Sequence, residues 1–204
     1  MRRSIIRLIA PVALALSAMT ATPARAQFSD SYNFLKAVRD ADGDKVTKAL
    51  QGSASTLINT RDFSTGEAGL HIVVKRRDMT WLNFLLSRGA NPNIKDSAGD
   101  TPLTEAAQIG YAEGVTALLR YGAQVNLGNN RGETALIIAT QQRNIPLVRL
   151  LITNGADPRQ ADRIAGKSAH DYAAEDSRSA AVLKILDEAP TTPKPKPKMS
   201  GPGL

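Results

Sequence analysis

The 204-residue chain is 42% hydrophobic and 22% charged, an ordinary balance for a folded protein with a sizeable core. Aromatic residues make up only 4%, so that core must come from Ala, Leu, Val and Ile, which suits stacked helices better than a β-sandwich. The absence of cysteine excludes disulfides, a lipidated N-terminal thiol and thiolate metal sites. The net charge of +7 sits at the two ends: residues 1–26 and 190–204 hold basic side chains and no acid, and residues 27–189 carry no net charge. A bulk basic field for DNA or RNA is thereby excluded, and no nucleic-acid partner is expected.

The chain opens with the pattern of a secretory signal. Arg2, Arg3 and Arg7 precede an apolar stretch from Leu8 to Met19, broken only by Pro11 and Ser17. Ala24-Arg25-Ala26 is an A-x-A cleavage site. The stretch is shorter than the roughly 20 residues a membrane span needs. Residues 1–26 are therefore expected to be a signal peptide, removed to leave Gln27 first, with the protein periplasmic or secreted.

Residues 27–62 contain one weak helix pair, from Phe34-Leu35 to Leu50. Asp40, Asp42 and Asp44 alternate there as in a calcium loop. The sixth position is Lys45 where glycine is needed, and the twelfth is Gln51 where a bidentate glutamate is needed. A turn between two helices is the expected structure, with no metal. The step from Val46 to Leu82 is 36, which predicts a longer loop into the next unit.

From there the chain repeats. Gly66, Gly99 and Gly132 are 33 apart, and Gly166 follows at 34. Gly89-Ala90, Gly122-Ala123 and Gly155-Ala156 keep the same step, as do Leu70, Leu103 and Leu136. Leu85, Leu118 and Leu151 continue to Ile185, and Asn93 and Asn126 share a slot. Within one period, Thr101 is a helix N-cap and Pro102 a first helical residue. Ala106-Ala107 allow close helix approach, and Gly110 ends a short helix. Val115, Leu118 and Leu119 then line one face of a second helix, which Gly122 closes. A polar turn runs from Asn126 to Gly132. No unit of this kind buries its apolar face alone, so the units must stack.

Gly99-Asp100-Thr101-Pro102-Leu103 matches the G-x-T-P-L part of the ankyrin signature, with Thr104 in the His slot. Gly132-Glu133-Thr134-Ala135-Leu136 is a second copy. Gly66 to His71 keeps the His without Thr-Pro, and Gly166 to His170 is the most divergent. Over about residues 30–188 the chain resembles the ankyrin-repeat family. The resemblance implies an all-α fold, an ankyrin-repeat solenoid of stacked helix-turn-helix units joined by β-turns. Its divisions are a degenerate N-terminal capping repeat at 27–62, repeats at 63–96, 97–129 and 130–162, and a C-terminal capping repeat at 163–189. A Pro/Lys-rich tail, extended or disordered by composition, follows at 190–204.

Catalytic signals are lacking: no phosphate loop, zinc spacing or nucleophile elbow occurs. His71 and His170 fall in repeat slots, where structural roles are expected, and Trp81 is expected to pack between or behind units. No enzyme activity and no cofactor are expected. The resemblance implies a non-enzymatic protein-protein interaction module, monomeric, with a protein partner that the sequence does not name. Family members bind through turn tips and the exposed side of the first helices. Carried onto this chain, that surface runs from Arg39 and Asp40 through Lys75, Arg76, Gln108, Ile109, Gln141 and Gln142 to Glu175 and Asp176, with Arg131 and Glu133 at a tip. Two other settings fit the same sequence: a secreted protein acting on another cell, or a module tethered to the envelope by its basic tail. Any membrane contact is expected through that tail.

Overall fold

The computed structural model describes residues 24–190. The expected signal peptide therefore lies outside the described residues except for Ala24–Ala26, which begin the first helix, and the Pro/Lys tail lies outside them from residue 191. Among the described residues there are ten α-helices, one short 3-10 turn and no strand. Five helix pairs follow one another: α1 Ala24–Arg39 with α2 Gly43–Leu57, α3 Gly69–Lys75 with α4 Met79–Ser87, α5 Pro102–Gln108 with α6 Ala112–Arg120, α7 Ala135–Gln141 with α8 Ile145–Thr153, and α9 Ala169–Glu175 with α10 Ala180–Asp187. The 3-10 turn, Ser177–Ser179, joins the last pair. This is the all-α solenoid that the repeat implied.

The helix starts follow from local chemistry. Asp78, Thr101, Asn144 and Ser168 each accept a hydrogen bond from a backbone N–H three residues on. Asp42 does the same for α2, accepting from the Lys45 N–H. The three alternating aspartates thus include a helix cap.

First helices pack on first helices from α1 to α9, and second helices on second helices from α4 to α10. Leu70, Leu103 and Leu136 are buried in one layer, and Leu85, Leu118 and Leu151 in the other. Ala106 and Ala107 are fully buried, which lets α5 approach its neighbours closely. Trp81 is half-buried against the core, edge-to-face with Phe84 at 5.6 Å between ring centres.

Asparagines staple the units. Asn93 Nδ2 donates to the Gly122 carbonyl and its Oδ1 accepts from the Gln124 N–H. Asn126 repeats both bonds with Gly155 and Asp157. Asn59 Oδ1 accepts from the Asn91 N–H one unit earlier.

One expectation is corrected. The extra residues between the first two units lie in a helix, not in a loop. Helix α2 has 15 residues where α4, α6 and α8 have nine. The Gly-Ala pair that follows α4, α6 and α8 has no counterpart soon after Leu50, so the helix runs on to Leu57.

Candidate protein-binding face

The first helices α3, α5, α7 and α9 lie side by side, and their C-terminal ends form a ledge. Lys75, Gln108 and Gln141 are the last residues of α3, α5 and α7; Arg76, Ile109 and Gln142 are the caps just beyond. The two rows are in register. All six are exposed except Ile109, which is half-buried against the core.

Their side chains do different work. A helix leaves its last carbonyls without intrahelical partners. Arg76 Nη1 supplies partners to α1, donating to the Val38 and Arg39 carbonyls at 2.9 and 3.0 Å. Gln142 Nε2 donates to the Gln108 carbonyl at 2.8 Å. The Arg77 guanidinium reaches the Ile109 carbonyl. The second row therefore couples one unit to the next. In the first row, Lys75 pairs with Glu67 at 2.5 Å and lies 3.6 Å from Glu105. Burial raises the Glu105 pKa, against the pull of Lys75. Gln108 and Gln141 remain exposed at the centre of the ledge. At the tip, Arg131 is exposed and pairs with Glu133 at 2.6 Å, while Glu133 itself is half-buried and bonded to Asn129.

One slot between the paired helices holds Arg77, Gly110 and Arg143, all at positive φ, +54°, +64° and +54°. Glycine adopts that conformation freely, and arginine does not. Both arginines use it to reach the following unit, Arg143 meeting Asp176 at 2.9 Å. In the fifth unit Ser177 takes the slot, and Asp176 instead caps the 3-10 turn with an extended backbone. A cleft of about 450 Å³ opens there, lined by Thr140, Gln141, Arg143, Tyr172, Glu175 and Asp176 among others. The Arg178 backbone N–H, with the Arg143 and Arg178 side chains, holds Asp176 far below the usual carboxylate range, so it is ionised. Tyr172 donates to Asp162 at 2.6 Å, which pushes its own pKa up to about 12. Thr140 Oγ1 is buried in the wall with no hydrogen-bond partner. Sequence reasoning named Gln141, Glu175 and Asp176 as first-helix positions and missed the cleft that they line. Its signal was Asp176-Ser177, a capping pair where the other units carry a left-handed residue.

The signature His slot also becomes clear. His71 is fully buried. Its Nδ1 accepts from the Ala68 N–H at 3.1 Å, so its Nε2 carries the proton and donates to the Asp100 carbonyl at 3.0 Å. Thr104 Oγ1 accepts the equivalent N–H of Thr101, and Asp171 Oδ2 that of Ser168. Three different side chains do one job. His170, in the leucine slot, bridges to Asp187 at 2.8 Å and so ties α9 to α10. Burial pushes the His71 pKa below its ordinary 6.5, outweighing the Asp100 carbonyl. Below that pH the unfolded chain takes a proton that the folded imidazole refuses. The His71 contribution is thus complete above 6.5 and declines as pH falls under it. Denaturation of the wild type and His71→Thr at neutral pH and near pH 5.5 checks this. The wild type is expected to lose more stability across the interval, and equal losses would refute it.

The repeat slots, their caps and the stapled stack all agree with the sequence comparisons. The family model for ankyrin repeats, in three copies, matches residues 35–128, 70–162 and 111–192. The chain belongs to the ankyrin-repeat family. An ankyrin repeat-containing protein of Treponema pallidum (strain Nichols) is 32% identical over 142 residues, covering 69% of this chain and 46% of the relative. The human transient receptor potential cation channel subfamily A member 1 is 33% identical over 121 residues, 59% of this chain and 10% of the channel. The Caenorhabditis elegans ANK repeat-containing protein nipk-1 is 35% identical over 118 residues, 50% and 19% respectively. The chain spans less than half the length of each. Ankyrin repeats are protein–protein interaction modules, and the family is typically non-enzymatic.

Proposed function

We propose that this ankyrin-repeat protein is exported and acts in the cell envelope without catalysis, holding a protein partner on its first-helix ledge. The observation that carries the reading is the pair of exposed amides, Gln108 and Gln141, standing in register at the ends of adjacent first helices. Lys75 is shared between two glutamates, which weakens the basic end of the ledge as an attractor. Recognition then rests on amide hydrogen bonds over little apolar area, for which micromolar affinity is expected. Export rests on Arg2, Arg3, the apolar stretch and Ala24-Arg25-Ala26.

The test is affinity capture from periplasmic extract, with the intact mass of the recovered protein read alongside. Gln108→Ala with Gln141→Ala is expected to abolish capture of the partner that the wild type retains. Arg120→Ala with Arg149→Ala, on the second helices, is expected to keep it. The recovered chain is expected to begin at Gln27. The reverse pattern of capture would place the partner on the other face, and a recovered chain retaining Met1 would overturn cleavage.

A further inference from the structure

Asn154 is the one asparagine of the chain that is followed by glycine. In such a pair the side-chain amide and the next backbone nitrogen can react with each other. Glycine puts no Cβ beside its nitrogen and restrains the backbone least, so it opposes the reaction least. The slot itself is ordinary. It caps a second helix ahead of a left-handed glycine, and the two preceding units fill it with Arg88 and Tyr121, which carry no such chemistry.

The reaction needs no reagent but water. The Gly155 nitrogen bonds to Cγ of Asn154, the Cγ–Nδ2 bond breaks, and Nδ2 leaves as ammonia with the proton from the Gly155 N–H. The product is a five-membered cyclic imide. Water then opens the ring at either carbonyl. One opening gives aspartate; the other gives isoaspartate, in which the backbone runs through Cβ and Cγ. No group is oxidised or reduced.

The folded chain withholds each condition for ring closure. The ring requires Cβ and the Gly155 nitrogen to eclipse one another about the Cα–C bond, a ψ of about −120° by tetrahedral geometry. Asn154 has ψ of 13°. The Gly155 N–H donates to the Ile152 carbonyl at 3.0 Å, so the nucleophile is engaged. Asn154 Nδ2 donates to the Leu150 carbonyl at 2.7 Å, which holds the amide back along its own helix. The next residues are fixed too. The Ala156 N–H donates to the Leu151 carbonyl at 3.0 Å, and Asn126 binds the Gly155 carbonyl and the Asp157 N–H at 3.2 and 2.8 Å. Asn154 is exposed, so water reaches it and the protection is conformational. Turning ψ by about 130° breaks these bonds together, so the reaction waits for the end of α8 to open.

We propose that Asn154 is the deamidation site of this chain, closed by the folded end of α8 and open whenever that end is unfolded, so that the chain records the time it spends unfolded. The mark then weakens the fold it reports on. Aspartate at 154 sets a carboxylate against the Leu150 carbonyl that the amide had bonded, at the negative end of α8. Isoaspartate also adds a backbone carbon just ahead of Gly155, whose φ of +86° ends the helix, and shifts the carbonyl that Asn126 holds.

The test holds the full-length chain at mildly alkaline pH, folded in buffer or unfolded in guanidinium chloride, and follows the masses of its peptides with time. In the unfolded chain the peptide containing Asn154 is expected to take the mass of the acid, as two separable products. In the folded chain the same change is expected to be at least about tenfold slower. Asn126→Ala removes the two bonds beyond the helix end and is expected to quicken the folded chain about fivefold, with the unfolded rate unchanged. The wild-type comparison stands whether or not that variant folds. Asn154→Asp, which mimics one product, is expected to melt about 2–6 °C below the wild type. Equal rates in the folded and unfolded wild type would overturn the proposal. So would an unfolded chain that loses amides at other asparagines first, a folded Asn126→Ala variant that reacts no faster, or an unchanged melting temperature for Asn154→Asp.

Discussion

Leu118→Ala is expected to lower the stability of the stack by about 2–5 kcal/mol, the range for a leucine removed from a packed interior. Leu118 has no exposed surface and sits on α6 in the central unit, in the slot that Leu85 and Leu151 fill in the units on either side. Truncation leaves a cavity between the layers, and neighbours tied to one another by Asn93 and Asn126 collapse into it only in part. The position matters as much as the residue. A repeat array holds together through nearest-neighbour contacts, so damage at the centre weakens two interfaces at once. Denaturant unfolding followed by circular dichroism gives the measurement. A loss under about 1 kcal/mol would remove Leu118 from the core.

Gly99→Ala is expected to be comparably damaging, on the order of 2–4 kcal/mol, although it adds a single methyl group to a surface turn. Gly99 has φ of +78°, where a side chain is strained in any surroundings. Its added Cβ would also stand 2.6 Å from the backbone nitrogen of Asn130 in the next tip. That nitrogen donates to the Ala98 carbonyl, so relief of the clash pulls on the bond joining the two tips. Gly89→Ala is the comparison: φ is +86°, with nothing within 4 Å of the added carbon. It carries the backbone strain alone and should lose about 1–2 kcal/mol. Equal losses in the two variants would mean that tip-to-tip packing contributes nothing.

These two variants also mark how far sequence reasoning reached. The 33-residue step, the Thr101 cap and the Gly-Ala stops are local or periodic signals, and they place Leu118 in the core without coordinates. Helix boundaries in the central units follow from the same signals. The start of the chain was harder. The end of α2 depends on a stop signal that is absent, and periodicity alone assigned its extra residues to a loop.

The candidate face was legible in position and not in use. Spacing alone aligns Lys75 with Gln108 and Gln141, and Arg76 with Ile109 and Gln142. It does not show that Arg76 and Gln142 are consumed by carbonyls at the ends of neighbouring helices. Those carbonyls belong to residues 34 to 38 positions away, and side-chain reach across that separation depends on the stacked geometry. Thr104 looked like a departure from the signature His, and Asp171, in the same slot of the last unit, carried no signal at all. Placed at the third position of their helices, each accepts the N–H of its own helix cap, as His71 does from Ala68.

Periodic spacing of apolar and turn residues carried the repeat, the fold and the family, because each of those is written in contacts within one unit or repeated between identical slots. Tertiary structure alone decided which polar side chains are spent on coupling units and where the Thr140 cleft opens. Those outcomes depend on the distance and direction between neighbouring units, and a single Asp-Ser pair alters both.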